Sequence, residues 1–435
     1  MVQRGPVSRR HFAVLLGGVG ATFSLASPTG ALSAAMSANG SLGGTAERVR
    51  AILQQHFARG YATGMVALVG TGDTAETVVV GQMAREIPAP MRRDSIFRIA
   101  SMTKPMTAAA VMMLIEDGKL RLDEPVNRLL PELARCKVLK RIDGPLDDTV
   151  PAKRPITVED LLTFRFGAGI LLVPPDTYPI QRKISELQLL GFGPPDPASL
   201  LTPDEWIKRL GTLPLMAQPG ERWMYNTGSY VLGVLIARAS GKSLPRFFQE
   251  RIFEPLGMKD TGFFVPPDKL SRLVTAYRPK GDQLEVYDAV TNSAWKGPPA
   301  FPDGAAGLVS TVDDYFAFSR FILARGRVGG QQLLSKASIN AMTTDHLTPG
   351  QCEGSQPILA PGRGWGYGMS VVDAQTTEGL PIGACGWSGG LGTSWMVDSQ
   401  SSRTAILLTQ TMFESPKAPP VHEEFLRAVF HPSSG

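Results

Sequence analysis

Phe97-Arg98-Ile99-Ala100-Ser101-Met102-Thr103-Lys104-Pro105 leads into an apolar run, Ala108-Ala109-Ala110-Val111-Met112-Met113-Leu114, that reads as a buried helix ending near Glu116 and Asp117-Gly118. Ser101 and Lys104 are three residues apart, which puts two helical side chains on one face. A lysine amine beside a serine hydroxyl can take its proton when loss of water lowers the lysine pKa. A helix N-terminus also offers unpaired backbone N–H groups to an oxyanion. The same spacing recurs at Ser293-Ala294-Trp295-Lys296, but Gly297-Pro298-Pro299 follows at once and no helix would hold that pair. The spacing alone also fits an ordinary helix-capping serine with a solvated lysine. The buried helix behind Ser101 is what singles this site out.

Two more stretches carry chemistry. Pro219-Gly220-Glu221-Arg222-Trp223-Met224-Tyr225-Asn226-Thr227-Gly228 precedes an apolar helix over about 229–239. Gly386-Trp387-Ser388-Gly389-Gly390-Leu391-Gly392-Thr393-Ser394-Trp395 sits among strand-like segments. With Gly307-Leu308-Val309-Ser310-Thr311-Val312-Asp313-Asp314-Tyr315 between them, these stretches resemble, in order, the motifs of serine β-lactamases, penicillin-binding proteins and above all family VIII carboxylesterases. The resemblance spans about 45–430.

That resemblance implies an α/β (α+β) β-lactamase/transpeptidase-like fold: an antiparallel sheet flanked by helices, with an inserted helical domain. It implies two-step acyl transfer with Ser101 as nucleophile. Lys104 and Tyr225 would share the proton work, with the choice of base left open. The backbone N–H groups of Ser101 and Gly390 would form the oxyanion hole. Trp387, Ser388, Gly389 and Thr227 would line the substrate site. No metal or organic cofactor is implied.

Two departures narrow the substrate. The second motif of the family is usually Tyr-x-Asn or Tyr-x-Ser, whereas Asn226 and Thr227 follow Tyr225 here, so the amide that meets a substrate amide is missing or displaced. The third motif usually begins with a cation that holds a substrate carboxylate by a charge-assisted bond. Trp387 stands in its place and offers an apolar wall and one N–H donor instead. The expectation is a carboxylesterase acting on neutral esters. A β-lactamase or D,D-carboxypeptidase is the alternative, and a non-catalytic penicillin-type binding module a third reading.

Gly386-Trp387-Ser388-Gly389-Gly390 also satisfies G-x-S-x-G, the nucleophile elbow of α/β-hydrolases, with Asp398 and His422 following in the required order. An elbow needs strand, turn, helix. Ser388 is followed by the strand-like Ser394–Val397, which argues against it.

The rest of the chain frames the site. Residues 1–35 contain Ser8-Arg9-Arg10-His11-Phe12, an apolar stretch with Gly17, Gly18 and Gly20, and Ser33-Ala34-Ala35. This order reads as an export signal resembling the twin-arginine type, which places the protein in the periplasm or outside the cell. A linker is expected over 36–44 and a helix from about Thr45 to Ala58. An α/β domain is expected from 45–115 plus 305–435, and a mainly helical insertion over 116–304. Within that insertion, 170–200 reads as a long loop near the site. Trp365–Val372 reads as one strand.

The 435 residues are 43% hydrophobic and 19% charged, enough for a core without staples. No apolar run approaches a membrane span, so stable membrane insertion is not expected. The net charge of +5 includes Arg4, Arg9 and Arg10 of the signal; the remaining charge of about +2 is too small to imply a nucleic-acid partner. Three cysteines without a C-x-x-C pair, and five histidines with none between 57 and 345, argue against a metal site. Cys385 reads as a small buried hydrophobe. The implied partner is a small-molecule ester or amide.

Overall fold

In the computed structural model, residues 41–86, 89–191 and 194–431 are described. The expected signal over 1–35 lies outside them. The first helix, α1 (Leu42–Ala58), begins three residues before Thr45, because the Ser41 hydroxyl accepts from the Gly44 N–H at 3.1 Å and closes the first turn. The end of the expected linker is therefore helical.

The strands β1 (Gly64–Thr71) and β2 (Thr74–Gly81) form a hairpin. Chain-distant strands complete the sheet: β3 (Arg363–Trp365), β4 (Ser370–Val372), β5 (Cys385–Gly389), β6 (Thr393–Asp398) and β7 (Arg403–Thr409). The seven-stranded sheet is antiparallel throughout, in the order β3-β4-β5-β6-β7-β1-β2. The N-terminal hairpin docks on the last strand, with Met65 opposite Thr409 and Val69 opposite Ala405. One sheet is thus built from both ends of the chain, as the strand positions in the sequence suggested.

The stretch expected as one strand over Trp365–Val372 is instead the β3–β4 hairpin. Gly368 at φ +76° makes its bend, and a side chain there would run into the Lys104 carbonyl and Ala108.

Side-chain alternation sends the two faces of β1 to different cores. Met65, Ala67 and Val69 pack with Val49 and Leu53 of α1 and with Val421 and Phe425 of a C-terminal helix, Pro420–Phe430. Val66 and Leu68 face the main core, which contains the helix Lys104–Glu116. That helix is buried from Lys104 to Leu114, as its apolar run requires. It packs against the helix Thr227–Ser240.

The same core takes in Leu133, Ile180 and Trp206 from the 116–304 stretch. The expected boundaries near 116 and 304 therefore mark a change from sheet to helices without a break in the core. The 170–200 stretch is not all loop: Pro179–Glu186 is helical, with Ile180 and Ile184 buried one turn apart. Among the described residues, no helix is long and apolar enough to cross a membrane.

Candidate active site

Ser101 lies in a short 3-10 turn, Ala100–Thr103, that runs directly into the α-helix at Lys104. Ala100 adopts φ +42°, so the backbone is strained one residue before the serine. Neighbours hold the turn in place. The Ile99 N–H donates to the Leu308 carbonyl at 3.0 Å, the Leu308 N–H to the Thr103 hydroxyl at 3.2 Å, and the Tyr315 hydroxyl to the Met102 carbonyl at 2.8 Å. The Thr393 hydroxyl donates to the Ile99 carbonyl at 3.1 Å. The end of β5 lies so close to Ile99 that any side chain on Gly389 would collide with its carbonyl. These contacts bring the first and third motifs together across almost 300 residues of sequence.

Lys104 is fully buried. Its Nζ is 2.8 Å from Ser101 Oγ and 3.0 Å from the Ala305 carbonyl. Burial lowers its pKa to about 7, and the nearby Asp303 carboxylate opposes the shift. The Tyr225 hydroxyl donates to the same Ser101 Oγ at 2.8 Å, and Lys104 Nζ sits 4.6 Å from the Tyr225 ring centre. Burial raises the Tyr225 phenol above its ordinary value, against the opposing hydrogen bonds to Ser101 and Trp387. The phenol is therefore neutral at pH 7, whereas the lysine is poised between its two forms.

The Trp387 N–H, expected to be available to substrate, donates to the Tyr225 hydroxyl at 2.8 Å. The indole ring is only 8% exposed and packs with Phe164, Trp223 and Trp365. Much of the expected apolar wall is thus turned into this cluster, which grips Tyr225: Phe164, Trp223 and Trp387 place ring centres 5.6–5.7 Å from it.

Ser388 and Gly389 follow on β5, beyond the two residues that pair with β4, Cys385 and Gly386. The edge at Trp387–Gly389 is therefore not covered by that strand. Gly390 is exposed in the turn after it, with open space where a side chain would project. Thr227 does not line the cleft: it is fully buried and donates to the Gly191 carbonyl at 3.3 Å.

The elbow reading fails on geometry. Ser388 pairs with Ser394 in a strand–turn–strand unit. Asp398 caps its own turn, accepting from the Gln400 and Ser401 N–H groups at 3.0 Å each. His422 Nδ1 is 2.8 Å from Ser394 Oγ, and burial lowers its pKa to about 3. Cys385 is buried, with its thiol pushed up to about 12 by loss of water, which leaves it an inert packing group.

Three features escaped sequence reasoning. Trp365 and Phe164 reach Tyr225 from far along the chain. The Ala305 carbonyl receives Lys104. Asp303, an acid only 7% exposed, stands behind that carbonyl. An acid in a Gly/Ala-rich stretch was a signal, but nothing local said which side chain it would face.

Comparison with known proteins identifies the family. The family model described as Beta-lactamase matches residues 48–425. The chain is 40% identical over 338 residues to Protein Rv1367c of Mycobacterium tuberculosis (strain ATCC 25618 / H37Rv), covering 75% of this chain and 80% of that protein. It is 29% identical over 392 residues to Esterase EstB of Burkholderia gladioli, covering 86% and 92%. Among solved structures it is similar to EstCE1, described as a hydrolase with promiscuous acyltransferase activity, with TM-score 0.76, 26% identity and coverage of 89% and 99%. On that match, and with the motifs joined in one site, the chain belongs to the Beta-lactamase family of serine hydrolases.

Proposed function

We propose that the protein is a carboxylesterase that cleaves neutral esters through an acyl-enzyme on Ser101. The observation that carries this reading is Ser101 Oγ held at 2.8 Å by both Lys104 Nζ and the Tyr225 hydroxyl. Lys104 acts as the general base, because burial brings its pKa to about 7 and leaves much of it unprotonated at neutral pH. Tyr225, with its pKa raised, stays protonated and donates.

In the first step the Ser101 hydroxyl attacks the ester carbonyl and its proton passes to Lys104 Nζ. The Ser101 and Gly390 N–H groups receive the oxyanion. As the tetrahedral adduct collapses, the proton moves through Tyr225 to the departing alkoxide. Water then attacks the acyl-enzyme by the same route in reverse, giving the carboxylic acid and free Ser101. The similarity to Esterase EstB and EstCE1 supports ester hydrolysis. The tryptophan where β-lactamases carry a cation favours uncharged substrates.

Sustained release of p-nitrophenol from p-nitrophenyl butyrate, many turnovers per protein molecule, is the expected result. No release, or a single equivalent, would contradict catalysis and leave a binding module.

We also propose that the protein is exported in folded form. The support is Ser8-Arg9-Arg10-His11-Phe12 ahead of a Gly-interrupted apolar stretch. Replacing Arg9 and Arg10 by lysine should leave the unprocessed chain in the cytoplasm in cell fractionation. Normal export of that variant would refute twin-arginine dependence.

A further inference from the structure

Behind Lys104 lies a second buried charge that the ester-cleaving steps do not use. Asp303 Oδ1 accepts from the N–H groups of Ala305, at 2.6 Å, and Ala306, at 3.1 Å. Its own carbonyl accepts from the Gly307 N–H at 3.0 Å. The carboxylate therefore knots residues 303–307 into one rigid turn. That turn directs the Ala305 carbonyl at Lys104 Nζ, 3.0 Å away, and the Gly304 carbonyl at the Thr107 hydroxyl one turn further along the Lys104 helix. On its other side the turn is wedged against the helix Thr227–Ser240, where any side chain on Gly304 would meet the Ser229 carbonyl.

Oδ2 is buried and has no hydrogen-bond partner. It has charged and titratable neighbours on several elements. Lys104 faces the carboxylate from its helix, and the Tyr230 phenol interacts with it from the helix Thr227–Ser240. Asp196 shares the wall of the small cleft at its back, together with Pro197 and Phe301. The Tyr225 ring centre lies 4.6 Å from Lys104 Nζ. Burial raises the pKa of the Asp303 carboxyl, and the Ala305 N–H, the Lys104 charge, the Tyr230 hydroxyl and the Ala306 N–H oppose that rise. The carboxylate's field falls on the Lys104 amine. Protonating the fully buried Lys104 would otherwise leave an uncompensated ammonium.

We propose that Asp303 is a positioning residue for Lys104: Oδ1 fixes the turn whose carbonyl receives the amine, and the buried negative charge stabilises the ammonium formed when Lys104 takes the Ser101 proton. The proposal rests on Lys104 being the base. No proton leaves Asp303 in the step; the proton moves from Ser101 Oγ to Lys104 Nζ, and the carboxylate balances the new charge.

The sign of the pH effect follows. Burial lowers the Lys104 pKa and Asp303 raises it back to about 7. Replacing Asp303 by asparagine keeps an acceptor at Oδ1 for the two N–H groups but removes the charge. The Lys104 pKa then falls, the amine stays unprotonated to lower pH, and it becomes a weaker base.

The test is the pH dependence of Ser101 labelling by a fluorophosphonate, with the labelled peptide identified by mass spectrometry, in wild type and Asp303→Asn. The expected result is an acid limb displaced to lower pH by about one unit or more, with the plateau labelling rate reduced about tenfold or more. Tyr230→Phe removes a hydroxyl that favours the Asp303 carboxylate; it should displace the limb in the same direction by less, and it decides the matter if Asp303→Asn does not fold. Acid limbs that coincide with wild type in the folded variants would overturn the proposal while leaving Ser101 as nucleophile. A wild-type label on a residue other than Ser101 would overturn the reading of the site and this proposal with it.

Discussion

Replacing Ser101 by alanine should lower kcat/KM for p-nitrophenyl butyrate by at least about a thousandfold, since removing the nucleophile of a hydrolase costs about that much or more. Ser388→Ala should keep activity within about tenfold of wild type. The contrast follows from geometry. Ser101 Oγ meets a buried amine of lowered pKa and a neutral phenol, each at 2.8 Å. Ser388 has Ser394 opposite it on β6, and the acid and histidine that an elbow would need are engaged elsewhere. Both variants should fold, because each removes only one hydroxyl. Steady-state kinetics with circular dichroism as the folding control gives the comparison. Substantial activity in Ser101→Ala would place the chemistry on another residue.

The second large effect concerns substrate choice. A cation at position 387 would form a charge-assisted hydrogen bond with a substrate carboxylate, contributing about 1.5–3 kcal/mol. Its absence costs such substrates roughly ten- to a hundredfold in binding. Thr227 is fully buried with its hydroxyl on the Gly191 carbonyl, so it offers no compensating contact to a substrate amide. The kcat/KM for a neutral short-chain ester should exceed that for penicillins and cephalosporins by orders of magnitude. Trp387→Lys should shift the ratio toward β-lactams, and the ratio is the informative quantity because it compares two transition states in one enzyme. The variant should also lose ester activity, because the indole N–H that holds the Tyr225 hydroxyl at 2.8 Å is removed with the ring. Hydrolysis of nitrocefin as efficient as that of p-nitrophenyl butyrate by the wild type would defeat the argument and favour a β-lactamase.

Local features of the sequence carried the parts of this account that depend on local physics. The Ser101/Lys104 spacing and the apolar run to Leu114 concern neighbours within one or two helical turns, and both have their structural counterparts. The hairpin inside 363–372 was missed because alternation continues across a bend that only Gly368 betrays. The helix 179–186 was hidden by the Pro- and Gly-rich residues around it, although Ile180 and Ile184 show the helical period. The surroundings of Tyr225 were less legible. Trp387 does stand in the third motif, but whether its N–H meets substrate or tyrosine depends on packing with Phe164 and Trp365. Thr227 shows the same limit in reverse: the helix that starts there turns it into the core. The role of Asp303 required knowing that residues 303–307 fold against the amine of a helix some two hundred positions earlier.

The most direct measurement of the central claim is the site of covalent labelling. Wild-type protein treated with a fluorophosphonate and digested should carry one equivalent of label on the peptide containing Ser101. Lys104→Met should carry little, because the serine then lacks the amine that receives its proton. Label on Ser388, or undiminished labelling of Ser101 in Lys104→Met, would contradict the assignment of Ser101 and Lys104 as nucleophile and base.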